Sequence, residues 1–295
     1  MLMNNIFTID VEEWFHAPQL EPYLEGRRWK DLEARLVPNV HRLLEIMAAH
    51  QTRGTFFILG WVGERYPKLV REIAASGHEI ASHGYRHKLV TKLTPSTFRE
   101  YVKRSKFLLE DLIGRSILGY RAACFSVVKS TLWALDVIKE TGFLYDSSMF
   151  PIHHDLYGIP DYPRFPYVHD NGLIEIPPST LSFLGYNKPI AGGGYFRFLP
   201  YSITKIGVKM LNKSGHPAVF YLHPWELDPG TPRTGQADWR TRFRRNINLK
   251  KTASRLKKLL SDFSFVPIID FIQCVNLGAI KIRPESVPHK RVQGH

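Results

Sequence analysis

Cysteine is nearly absent: Cys124 and Cys274 are the only two in 295 residues, and they lie far apart. That count fits neither a disulfide framework nor a cysteine metal cluster, and two reduced thiols in a cytoplasmic protein are expected. Long apolar runs are missing too. FFILGWVG and FVPIIDFI are the longest, and both are too short to span a bilayer. The opening MLMNNIFTIDVEEW places Asp10 and two glutamates where a secretory leader needs an apolar stretch, so no signal peptide is expected. A cytoplasmic location follows, with contact at a membrane surface left open.

Acid is scarcer than base. Forty Lys and Arg face 27 Asp and Glu, a net charge of +13 that favours an anionic partner: phosphate, a lipid surface or an acidic polymer. The excess is local. Arg240, Arg242, Arg244, Arg245, Lys250, Lys251, Arg255, Lys257 and Lys258 follow one another without an acid between them. Such a run is either a solvated helix face or a docking surface for an anionic membrane or a pyrophosphate-linked glycan. No nucleic-acid-binding motif accompanies it, so nucleic acid is not an expected partner.

What is present is a chain that is 44% hydrophobic, enough to bury one barrel-sized core or two small ones. Short β-rich runs alternate with amphipathic helical ones. NIFTIDV reads as a strand, 38–50 as a helix opening on Pro38, and RGTFFILG as a buried strand. A helix over 67–76 stops at Gly77, and EIASHG is a strand. Thr94 caps a long helix that carries Pro95 in its first turn and ends near Ile113 before Gly114. ILGYRA, STLWALDVIKETG and FLYDSSMF continue the pattern. From about 151 to 201 it breaks into Pro- and Gly-rich loops with short strands, then resumes with a helix over 201–212, the strand AVFYLH, a basic helix near 246–260, and FSFVPII. This alternation predicts a parallel α/β sheet or barrel. One domain over 1–275 with a loose basic tail over 276–295 is the simplest organisation.

SHGYRHKLV carries the strongest chemical signal. His83 and His87 are four apart, so on a helical turn they point the same way and can share a metal. Asp10 and Glu12 are two apart at the end of the first strand and so face one side; in parallel α/β folds functional groups gather there. Two histidines and one carboxylate make a facial triad with open positions, and the second carboxylate can serve as base. Arg121 in ILGYRAACF is a candidate partner for Asp10. His223 ends the strand VFYLH, where an acid could reach a substrate.

These segments resemble carbohydrate esterase family 4, the NodB-like polysaccharide deacetylases, and within it the subgroup found with exosortase and exopolysaccharide loci. Five blocks carry the resemblance in order over roughly residues 6 to 270: TIDVEEWF, SHGYRH, GYRAACFS, YDSS and YLHPWELDP. The resemblance implies a distorted (β/α)7 barrel that removes acetyl groups from N-acetylated amino sugars with one divalent ion, zinc being the expected one. It implies Asp10 as general base, Glu12, His83 and His87 as metal ligands, Arg121 holding Asp10, and His223 as general acid oriented by Asp146. The backbone N–H near Cys124 would help hold the oxyanion.

Two departures stand out. The family's adjacent Asp-Asp pair is here Asp10-Val11-Glu12-Glu13; strand periodicity selects Glu12, and a turn at Val11 would select Glu13. The usual Arg-x-Pro is Arg121-Ala122-Ala123, which loosens that loop. For the substrate, Tyr195 and Arg197 beside the Gly192–Gly194 run could line a sugar cleft, and Trp225 could stack on a sugar ring. The expected partner is an N-acetylated glycan, polymeric or lipid-linked. The alternatives are a deformylase or cyclic-amide hydrolase using the same site, and a non-catalytic glycan-binding homologue.

Overall fold

A computed structural model describes residues 3–24, 28–154, 157–232 and 237–276. In its first half the elements are β1 (Asn5–Val11), α1 (Leu36–Ala49), β2 (Thr55–Ile58), α2 (Gly60–Arg65), α3 (Pro67–Ala75), β3 (Glu79–Ser82), α4 (Pro95–Ile113), β4 (Gly119–Tyr120), α5 (Trp133–Glu140) and β5 (Tyr145–Asp146). The second half adds β6 (Tyr167–Val168), β7 (Ile174–Glu175), β8 (Thr180–Phe183), β9 (Tyr186–Pro189), α6 (Gly193–Phe198), α7 (Tyr201–Lys213) and β10 (Val219–Leu222). It ends with α8 (Trp239–Asn246), α9 (Leu249–Asp262), β11 (Phe265–Val266) and α10 (Ile268–Asn276). The expected basic tail lies, beyond Asn276, outside the described residues.

Seven parallel strands run in the order β10-β1-β2-β3-β4-β5-β7. Beside them, β6 pairs antiparallel to β7 and β11 pairs with the start of β1. The curl closes through one short bridge. Ile176 N–H donates to the Asp146 carbonyl, and three residues on, Ser179 N–H donates to the Val219 carbonyl while Val219 N–H donates to Ser179 Oγ. The chain after β7 thus crosses from β5 to β10 without a full ladder. This is the distorted (β/α)7 barrel that the alternation and the resemblance implied.

The period-two pattern of β1 divides its side chains. Phe7, Ile9 and Val11 pack outward into the main core with Phe56 and Ile58 of β2 and with Val40, Leu43 and Met47 of α1. Thr8 and Asp10 face the other way. Near the strand starts that inner face is apolar: Ile6, Phe57, Ala81, Tyr145, Ile176 and Val219 cluster with Ile268, Phe271 and Ile272 of α10. Burying one such side chain is worth about 1.5–3 kcal/mol. Helix α10, which the sequence pattern did not predict, thereby plugs one end of the barrel and leaves polar groups to the carboxyl ends of the strands.

The long helix α4 forms as its caps dictate. Thr94 Oγ1 accepts from Thr97 N–H at 3.2 Å, and Gly114 ends the helix at φ 64°, where a side chain would be strained. The basic helix expected near 246–260 is α9, and a second basic helix, α8, precedes it across a break at Asn248 with φ 52°. The break turns part of the charge inward. Arg245 Nη1 donates to the Trp14 carbonyl, and Arg255 Nη1 donates to the carbonyls of Phe196, Arg197 and Leu199. These two arginines tie α8 and α9 to the barrel and leave the solvated run.

Candidate metal and catalytic site

At the carboxyl end of β1, Glu12 meets His83 and His87. All three are buried, and one ligand atom from each lies within 4.8 Å of the others. The histidines do not sit on a helical turn, as their spacing suggested. They flank a loop that reverses at Gly84 (φ 75°) and is pinned where Gly60 and Trp61 at the start of α2 donate to the carbonyls of Gly84 and Tyr85. His83 Nδ1 lies 2.8 Å from the Arg121 carbonyl and donates to it, which leaves Nε2 as the free lone pair. Glu12 Oε2 is buried with only His87 Nε2, 2.5 Å away, set against it. Such an oxygen is costly unless something cationic completes it. The carboxyl of Glu12 is pressed well below its ordinary range: burial opposes ionisation, but His87, His223 and His83 outweigh it. His83 is lowered to about 4, mainly by burial. An anionic oxygen beside a neutral, lone-pair-bearing imidazole is a donor set that fits a divalent cation.

Glu13 has a different task. Its Oε1 accepts from the N–H groups of Arg35 and Leu36 at 2.8 and 2.9 Å, anchoring the start of α1. Among the two glutamates, the strand period picked the one beside the histidines.

Asp10 lies one pleat deeper. Arg121, fully buried, donates from Nη1 to Asp10 Oδ1 at 2.6 Å and to Thr8 Oγ1 at 2.9 Å. Its Nε–H goes to the carbonyl and an Nη2–H to the hydroxyl of Ser147, and its plane rests 4.1 Å over the Phe57 ring. Every side of the guanidinium is held, so Asp10 is fixed with Oδ2 turned towards His223, whose Nε2 lies 3.9 Å away. The same Nε2 is 3.3 Å from Glu12 Oε1.

The partner behind His223 is Glu226, which corrects the expectation of Asp146. Glu226 Oε1 accepts from His223 Nδ1 at 2.7 Å and from the His223 backbone N–H at 3.1 Å, because the turn after β10 brings residue i+3 back over residue i. Glu226 Oε2 in turn takes the Nε–H of Arg197 at 2.5 Å. Burial works against a charged His223, but Glu12, Glu226 and Asp10 prevail and raise it to about 9. Asp146 accepts from the hydroxyl and N–H of Ser148 instead, and burial beside Glu175 pushes its carboxyl up. Ser148 also receives the Ala122 N–H, so Asp146 supports the Arg121 loop and not the imidazole.

The residues assigned to substrate fall differently too. Arg197 is buried against Glu226 and is not free to line a cleft. Trp225 stacks on His223 with ring centroids 5.5 Å apart, lies within 5.3 Å of the Arg197 guanidinium, and is 8% exposed. It walls the histidine rather than offering an open face. Gly192 and Gly193, at φ 90° and 51°, press their backbone against Tyr221, where any Cβ would collide. Tyr195 is half-buried in the aromatic cluster of Phe125, Phe150 and Tyr221. Cys124 and Phe125 both take left-handed φ near 50°, a strained pair separated from Arg121 by Ala122 and Ala123. Burial pushes the Cys124 thiol well up, which removes it as a nucleophile.

Two residues escaped the sequence reading. Glu226 was legible in HPWE as a carboxylate one turn beyond the histidine. His16, in the aromatic run Trp14-Phe15-His16, stacks near His87 at 6.1 Å and accepts the Glu13 N–H at Nδ1, while its Nε2 is buried without a partner. Burial holds His16 well below its usual range and therefore neutral.

Residues 32–144 match the polysaccharide deacetylase family model, and 147–273 match a domain of unknown function, DUF3473. His83, His87 and Arg121 lie in the first match, His223, Glu226 and Arg197 in the second, and Asp10 and Glu12 precede both. Over 112 residues the chain is 34% identical to the peptidoglycan deacetylase-like protein FGM2 of Gibberella zeae, covering 37% of this chain and 32% of that one. It is 28% identical over 96 residues to a peptidoglycan-N-acetylglucosamine deacetylase of Bacillus cereus, covering 32% and 35%. A peptidoglycan deacetylase of Helicobacter pylori is 28% identical over 116 residues, 39% and 38% of the two chains. The chain thus spans about a third of the length of these curated relatives.

Among solved structures, a Mycobacterium smegmatis protein described as a polysaccharide deacetylase superposes with a TM-score of 0.62 at 22% identity, covering 98% of this chain and 99% of that one. Puue allantoinase gives 0.58 at 19% identity, with 91% and 88% covered. The fold is shared by both. Residues 32–144 are thus similar to the polysaccharide deacetylase family, as the family model and the curated relatives agree.

Proposed function

We propose that this protein is a metal-dependent hydrolase that removes N-acetyl groups from the amino sugars of a polysaccharide or of its lipid-linked precursor, in exopolysaccharide synthesis. One observation carries the reading: an arginine-held carboxylate, Asp10, and a glutamate-held imidazole, His223, stand 3.9 Å apart beside the Glu12–His83–His87 cluster. Amide hydrolysis needs that set, a base for water and an acid for the leaving amine.

Glu12, His83 and His87 would hold the ion, zinc by the chemistry of the donors. When bound, it polarises the amide carbonyl and lowers the pKa of water. Asp10 accepts the water's proton at Oδ2, since Oδ1 is committed to Arg121. His223 carries a proton on Nε2 and delivers it to the departing nitrogen, while Glu226 keeps Nδ1 protonated and the ring in place. The Cys124 N–H, in the left-handed turn after Arg121, would help hold the oxyanion.

We assign residues 1–275 to one catalytic domain, because strands from both family matches join one sheet. Two distant free thiols suit a cytoplasmic location, and the basic run that stays exposed after Arg245 and Arg255 turn inward suits contact with an anionic membrane. Among the described residues no helix is long and apolar enough to cross a membrane. The fold shared with an allantoinase favours one rival, hydrolysis of a cyclic amide. Acetate release from N-acetylglucosamine oligomers, run beside allantoin and N-formyl substrates, decides between them. Ring opening of allantoin without acetate release from the oligomers selects the rival. Loss of none of these substrates by metal-loaded protein leaves a glycan-binding homologue and overturns the proposal.

A further inference from the structure

Single exposed apolar side chains are ordinary on soluble proteins. Here they collect on one side. Helix α7 sends Val208 and Leu211 into the core and turns Ile203, Ile206 and Met210 outward at spacings of three and four. Just before it, Phe198 projects from the end of α6, its ring 6.5 Å from Phe243 of α8. Trp239, one turn earlier on α8, is 66% exposed. On the other flank the β8–β9 hairpin packs against α7, where Leu181 and Ile190 crowd Gly207. Its turn carries Phe183, Leu184 and Tyr186, with Leu184 81% exposed. Nine of the ten exposed large apolar side chains among the described residues belong to this ridge. The tenth, Phe107, is on α4, which packs with α2, α3 and α5 on another part of the barrel.

Base accompanies the ridge. Along α8 the order is Trp239-Arg240-Thr241-Arg242-Phe243-Arg244, and α7 adds Lys209 and Lys213. The acids nearby are already engaged: Asp238 caps α8, and Asp262 binds Lys205 and Tyr201. Apolar side chains interleaved with unneutralised bases are the composition of a surface that lies on an anionic bilayer, where rings enter the headgroup boundary and cations meet lipid phosphate. A protein partner would need acidic groups between apolar ones at matching intervals; a lipid surface adapts to any spacing.

We propose that α6, α7, α8 and the β8–β9 turn form a docking face for an anionic membrane. It deepens the membrane contact proposed above by naming the face, and it adds insertion of apolar side chains to charge attraction. The face adjoins the reaction centre, because α6 also carries Arg197, the residue that holds Glu226 behind His223. Docking therefore presents the site to a glycan whose lipid anchor lies in the same bilayer.

The test is sedimentation of the full chain with vesicles of phosphatidylcholine alone or mixed with phosphatidylglycerol, at low and high salt. Expected are binding to the mixed vesicles, partial survival at high salt, and about tenfold or greater weakening in Trp239→Ala/Phe243→Ala and in Leu184→Ser. Phe107→Ala should bind as the parent does. Equal binding by all variants, or none by the parent, overturns the proposal. So does concentration-dependent self-association in light scattering that the same variants abolish, since the face would then join two copies. Acetate release from a soluble oligomer, measured on these variants, reads the deacetylase assignment separately.

Discussion

Glu226 offers the sharpest test of the site, because the structure gives it the role the resemblance gave to Asp146. Glu226→Gln keeps the shape and an oxygen for His223 Nδ1–H but removes the charge. Two consequences follow. Arg197, 3% exposed and bonded to Glu226 at 2.5 Å, loses its counter-charge. Stranding one partner of a buried pair costs about 3–5 kcal/mol, a fall in melting temperature of roughly 5–8 °C for a chain of this size. The imidazole loses one of the three carboxylates that raise it from 6.5 to about 9, a net preference for the charged ring of roughly 3 kcal/mol. Turnover should drop about 10²–10³-fold, within the usual contribution of a general acid, with the basic limb of the pH–rate profile moved to lower pH. Arg197→Met combined with Glu226→Gln should recover much of the stability and none of the rate. The assays are thermal unfolding and acetate release across pH, beside Asp146→Asn. Wild-type turnover in Glu226→Gln with loss in Asp146→Asn would refute the reasoning and return the orienting role to Asp146.

Other outcomes can be checked directly. His83→Ala and His87→Ala should each lower bound divalent metal by elemental analysis, with undiminished metal in both counting against the ligand set. Asp10→Asn should keep its metal while losing about 10²–10⁴-fold in rate; if it loses metal and Glu12→Gln keeps it, the two carboxylates exchange roles. Glu79, half-buried at the start of β3 with Tyr145 and Thr55 donating to it, is raised to about 7, chiefly by desolvation of its carboxyl. The folded state therefore binds its proton more tightly than the unfolded chain. The stability this adds is present below about pH 4.5 and is lost as pH rises through 7. Urea unfolding should show a fall of about 2 kcal/mol between pH 5 and 8, and Glu79→Gln should show a smaller one. An unchanged slope in that variant removes Glu79 as the cause.

Much of this protein is written in local sequence. Thr94, Pro95 and Gly114 bound α4 because caps and breakers act within one helical turn. Thr8, Asp10 and Glu12 share the barrel's inner face because alternation along a strand is set by the backbone itself, and that alone separated Glu12 from Glu13. The strand–helix succession was enough for a parallel α/β sheet or barrel, and the resemblance chose the barrel. Elsewhere the chain's own neighbourhood was silent or misleading. His83 and His87 converge through a loop held by α2, since the reversal at Gly84 replaces the helical turn that their spacing imitates. Asp146 was placed by the resemblance, as a carboxylate for a histidine, and Arg197 by type, as a cation for a sugar. Their partners, Ser148 with Glu175 and Glu226, follow from how β5, β7, α6 and the turn after β10 are seated. The closing bridge at Ser179, the α10 plug and the inward turn of Arg245 and Arg255 all depend on contacts between distant segments. Periodicity and capping are short-range and survive in one dimension, whereas charge pairing inside a barrel is decided by which strand ends the fold sets face to face.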